Sequence, residues 1–233
     1  LYINLVNDLS FAQTYYPKSK TTVYLNNLSS LIFQRIYKTK RTEKNRLRQF
    51  FATEVPLLVH HYRRYLFYAF GFFIVFTLIG FISAYYDKEF VRIILGDEYV
   101  NKTIENIEKG NAVGVYQQGS NWGTSIAIIF NNLKVGAVLF IYGVFGGVGT
   151  LYALLQNSIM LGSFQYFFTK HGALKESASG IWLHGVFEIF SMVVEAMAGL
   201  ILGASLLFPK TCSRFNSFKL GFKDAFKIFL STV

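Results

Sequence analysis

One stretch constrains the chain more than any other: residues 181–208, IWLHGVFEIFSMVVEAMAGLILGASLLF. It exceeds the roughly 20 apolar residues that cross a hydrocarbon core about 30 Å thick. It also carries ionisable groups. His184, Glu188, Ser191 and Glu195 follow one another at spacings of four, three and four, which puts them on one narrow helical face. A carboxylate at mid-bilayer costs roughly 2.5–3.5 kcal/mol even on the lenient insertion scale. Such a stripe is expected to face other helices or water, not lipid. The expected fold class is therefore all-α: a polytopic transmembrane helical bundle.

The remaining apolar runs agree. Apolar residues make up 52% of the 233 and aromatics 18%, more than a soluble domain carries. Residues 65–86 hold no charge and have tyrosines at both ends, the pattern of a span anchored at two interfaces. It is the first run of spanning length, and no cleavable signal segment is expected before it. A second span is expected at 135–155, with residues 122–133 as an amphipathic lead-in anchored by Trp122. A short run at 158–170 follows the polar break Gln156-Asn157-Ser158 and is counted as a crossing, either full or as a shielded half-helix. The long span comes next, and the start of another is expected near 224.

Charge assigns sides. Lys and Arg outnumber acids eleven to three before Tyr65, whereas residues 87–123 carry four bases and six acids. The expectation is a cytoplasmic N-terminus and an extracytoplasmic loop 87–123 in a multi-pass protein of the cell membrane. Residues 1–64 are expected to form basic amphipathic helices, with Leu25, Leu28, Ile32 and Ile36 on one face and Pro56 kinking or ending a second helix. Residues 65–233 are then the transmembrane domain. The basic run is read as a surface lying on anionic headgroups, not as a nucleic-acid site.

Several chemistries are excluded at this point. One cysteine allows no internal disulfide and no cysteine-cluster zinc site. No Walker loop, nucleophile elbow, HExxH or dinucleotide-binding glycine loop is present. No catalytic residue, metal or cofactor is expected, and the protein is read as non-enzymatic. Gly143 and Gly147 form one GxxxG, and Gly199 and Gly203 another. Both permit close helix approach, either within one chain or in a homodimer, and the homodimer is the expectation.

The order IFNNLKVGAVLF, GVFGGVGTLYALLQNSIMLGSF, WLHGVFEIFSMVVEAMAGLILG resembles the stage II sporulation protein M family, as do NDLSFAQTYYPKSKTTVYLNNL and LGFKDAFKIFLSTV. The most specific pieces are Asn131-Asn132, residues 149–152, Asn157, and His184-Gly185 with Glu188. The resemblance implies a polytopic membrane protein that, in spore formers, anchors peptidoglycan-degrading partners. Two functions follow as expectations. One is a membrane scaffold that positions cell-envelope partners, such as peptidoglycan hydrolases. The other is a transporter or permease-like component that uses His184, Glu188, Ser191, Glu195 and Asn157 for proton, ion or lipid handling. A packed, dry stripe favours the scaffold, and a cavity reaching the stripe favours transport.

Overall fold

A computed structural model describes residues 2–37, 45–109, 121–175, 182–209, 211 and 213–232. It divides into two compact units, residues 1–47 and 48–233.

The first unit is a helical hairpin. α1 (Tyr2–Tyr15) is absent from the sequence-based expectation; α2 (Lys20–Tyr37) matches it. Pro17 ends the first helix, and Ser19 caps the second by accepting the Thr22 amide at 3.1 Å. The Thr22 hydroxyl closes the corner by donating to the Tyr16 carbonyl at 2.6 Å.

A short α3 (Arg46–Gln49), which ends in the second unit, opens into a π turn over Phe50–Glu54, followed by α4 (Val55–His61). Pro56 neither ends nor sharply breaks this run. Its ring would clash with the carbonyl four residues back, and the wider π turn lies where that clash would fall. The break comes later, at Tyr62. Residues 48–64 group with the helices that follow, because α4 packs on the last helix of the unit. There the Tyr62 hydroxyl donates to Asp224 Oδ2 at 3.0 Å, and Lys227 pairs with Glu54 at 2.6 Å.

α5 (Arg63–Tyr86) is the first span. Two amphipathic helices follow, α6 (Lys88–Leu95) and α7 (Asp97–Glu108), separated by Gly96 at φ 85°. Their apolar sides, including Val91 and Val100, bury against Ala84, Phe164, Phe167 and Phe168. Residues 88–108 thus fold down as a cap on one end of the bundle.

The next segment departs from expectation. α8 (Asn121–Ile141) continues into a 3₁₀ turn over Tyr142–Val144. After Phe145, Gly146 and Gly147 adopt φ of 67° and 84°. A new helix, α9 (Val148–Lys170), then departs. The expected span 135–155 is therefore cut by a corner, and the apolar stretch is Ile126–Val144. Of the residues read as a lead-in, 126–133 belong to that stretch. Two adjacent left-handed residues are what glycine alone adopts without strain. The short run at 158–170 is the second half of α9, which is long but carries the polar Gln156-Asn157-Ser158.

α10 (Trp182–Leu207) is the third apolar span, and α11 (Arg214–Leu230) closes the unit. α5 and α9 run parallel in close contact: Gly80 lies on the Ile159 backbone, and Gly162 on the Thr77 carbonyl. α8 and α10 also run parallel, pairing Gly136 with Glu195, Gly143 with Gly199, and the Gly146-Gly147 corner with Gly203. The two GxxxG faces thus meet each other inside one chain. That corrects the expectation that they serve self-association, because their close-approach surface is already occupied. α11 runs antiparallel to α10, with Gly221 beside Ser205 and the Ser217 hydroxyl donating to the Ser205 carbonyl at 2.8 Å. The fold is an all-α polytopic bundle, with three helices among the described residues long and apolar enough to cross a membrane.

A polar cavity ending on Glu195

The residues of the intramembrane stripe are held by α10. The helix is open at Gly185, where an added Cβ would meet nothing within 4 Å, whereas Val193, Val194 and Ala196–Ala198 are buried against α5, α8 and α11. The stripe faces the gap that this packing leaves. A cavity of about 390 Å³ opens there, between α8, α9, α10 and the end of α11. Its polar lining is Asn131, Asn132, Asn157, Glu188, Ser191, Glu195 and Thr232, set among apolar side chains such as Leu133, Met160 and Met192.

The cavity has a mouth and a floor. Phe187 is 76% exposed, and Glu188 and Asn131 are also exposed. Glu195 is only 6% exposed. The apolar span of α10 runs Gly185–Leu207. At ~1.5 Å per residue, Glu188 lies about 4–5 Å inside its end and Glu195 about 15 Å inside, near mid-core.

Each polar group has a distinct setting. Glu195 Oε1 accepts the Thr232 hydroxyl at 3.0 Å. The carboxylate lies against the bare backbone of Gly136, where a Cβ would collide with it. Among the described residues, no cation contacts it and no Lys or Arg lines the cavity. Asn157 spends an amide hydrogen on the Ala153 carbonyl, one turn back, at 2.8 Å. Glu188 makes no hydrogen bond among the described residues. The His184 side chain lies outside the described residues. Among the described residues, no three of His, Cys, Asp and Glu come together in a group that could hold a metal.

Sequence reasoning placed Glu188, Ser191, Glu195 and Asn157 in one polar set, and all four line this cavity. It did not place Asn131, Asn132 and Thr232 there. The paired asparagines inside an apolar run were a usable signal, since buried amides in a span need a polar surrounding. Thr232 carried no signal, because only the antiparallel return of α11 brings it to Glu195. Gly143, Gly147, Gly199 and Gly203 lie elsewhere, in the seam that fixes α10 against the α8–α9 corner and so sets the cavity's floor.

Outside the membrane core, burial and the Asp224 carboxylate both push the Tyr62 phenol upward, burial contributing more. The neutral phenol therefore serves as the donor that ties the start of α5 to α11.

No curated protein and no solved structure matches the chain. A model described as a domain of unknown function, DUF8413, matches residues 1–38, the hairpin unit. The model of stage II sporulation protein M matches residues 69–233, from within α5 through the cavity-forming helices to the end of α11. Well over half of this membrane protein is covered by that match, and the chain belongs to the stage II sporulation protein M family.

Proposed function

We propose that the protein is a non-enzymatic membrane component that holds a ligand in the cavity ending on Glu195. One observation carries this reading: the polar stripe borders open space of about 390 Å³ instead of being packed dry. That volume lies in the range of small-molecule sites, which are mostly apolar with a few convergent polar groups. Of the two functions expected from sequence, the transporter-like one needs such a space and the scaffold does not. A mouth near one end of the span and a carboxylate near its middle suit a site reached from one side of the bilayer. Filling the cavity tests this. Ser191→Trp should abolish ligand-dependent stabilisation of the purified protein in nanodiscs across a small-molecule panel. A panel that stabilises the filled variant as much as wild type would sink the proposal.

A second reading keeps the scaffold. The α6–α7 cap is anchored by its own apolar cluster and leaves Ile93 75% exposed, a firm surface for an envelope partner on the side assigned as extracytoplasmic. Ile93→Lys should then remove partners recovered by crosslinking from native membranes, while leaving the cavity intact.

A further inference from the structure

We propose that the ligand of this cavity is an ammonium group carried on an apolar body; the inference rests on the cavity being a binding site. The argument begins with charge. Among the described residues, Glu188 at the mouth and Glu195 at the floor are the ionisable groups of the lining, and both are acids. The remaining polar groups are amides and hydroxyls, which present acceptor oxygens to a cation. Glu195 is 6% exposed, and its one bond among the described residues is from Thr232 to Oε1. Its other oxygen is left without a described donor. In a low-dielectric surrounding an unmatched carboxylate is costly, and a cation brought beside it is held far more strongly than in water.

Shape supplies the second half. Leu133, Met160, Leu161 and Met192 form the walls between the two acids. A hydrated metal ion would leave those walls unused. An amine on a compact hydrocarbon would place its ammonium on Glu195 and its body against the methionines, whose flexible thioethers adapt to irregular shapes. Anionic and phosphate-bearing groups would meet two carboxylates and, among the described residues, no cation. The ammonium has two possible sources, a soluble amine or an aminolipid headgroup.

The test uses the full chain in lipid nanodiscs and three cage-shaped probes of one size: 1-adamantylamine, 1-adamantanol and adamantane-1-carboxylate. The amine is expected to bind about tenfold or more tighter than the alcohol, which is the discrimination that one retained charge contact gives, and the carboxylate least. Glu195→Gln keeps the shape and the Thr232 bond and should erase the amine's advantage. Glu188→Gln, at the exposed mouth, should reduce it less and guards against a folding defect at position 195. If phosphatidylethanolamine in the discs weakens the amine competitively, the source is an aminolipid; if it has no effect, the source is soluble. Equal binding of amine and alcohol, or an amine affinity unchanged by Glu195→Gln, overturns the ammonium assignment and leaves the cavity proposal standing. Failure of all three probes to bind wild type overturns both.

Discussion

Replacing Gly199 by Ala tests whether the glycine seam is internal. The added methyl would lie on the Leu139 carbonyl and the Thr150 hydroxyl, so it must either displace α10 or break the Thr150–Leu139 hydrogen bond of 2.8 Å. Overpacking a tight contact costs about 1–3 kcal/mol. A buried hydrogen bond between membrane helices adds about 0.6 kcal/mol. Alanine returns up to ~1 kcal/mol of helix propensity. The net expectation is a loss of roughly 0.5–2.5 kcal/mol. Gly185→Ala is the matched control on the same helix. Its methyl meets nothing within 4 Å, so only the propensity gain remains, and stability should hold or rise. The assay is reversible unfolding in mixed micelles of increasing SDS fraction, followed by helical circular dichroism at several protein concentrations. Loss of stability at Gly199 without concentration dependence is the predicted result. Coincident curves for wild type and Gly199→Ala, or a concentration-dependent loss that reports a broken dimer, would refute the internal seam.

Other outcomes follow from the same geometry. Burial and Asp224 raise the Tyr62 phenol above its unfolded value of about 10, so its contribution is present below pH ~10 and is lost as pH climbs through the folded value. Tyr62→Phe should flatten that alkaline loss in a detergent melt. Gly147→Ala should destabilise through backbone strain at φ 84°, by about 1–2 kcal/mol, even though the space beside it is less crowded than at Gly199. The proposed sidedness predicts that a cysteine at Lys102 labels with an impermeant reagent on intact cells and one at Arg214 does not, scored after replacement of Cys212; the reverse pattern would invert the topology.

The parts legible in the sequence are those where pattern and environment coincide. Residues 65–86 are uncharged, and one helix covers them. The 4-3-4 spacing in α10 put Glu188, Ser191 and Glu195 on one face, and one cavity takes all three. The glycine-rich stretch was misread because a GxxxG repeat looks the same in a straight span and at a corner. The adjacent Gly146-Gly147 was the distinguishing mark, since two successive left-handed residues end a helix. Asn131 and Asn132 made α8 look as if its apolar part began later, although they are polar because they face the cavity. Pro56 shows a local rule overridden by a π turn. Thr232 and the pairing of Glu54 with Lys227 depend on contacts across the sequence that no local window contains.

The central claim is that the polar stripe borders open, reachable space within the bundle. The most direct measurement is thiol accessibility in membranes, on a background with the single Cys212 replaced. Cysteines at Asn131 and Ser191 should react with a small impermeant thiol reagent added from the side of residues 87–109, and prior reaction at Ser191 should slow reaction at Asn131. A cysteine at Val194, which is buried outside the cavity, should stay unreactive. Equal protection of positions 131, 191 and 194 would contradict the account, since it would mean a stripe packed dry.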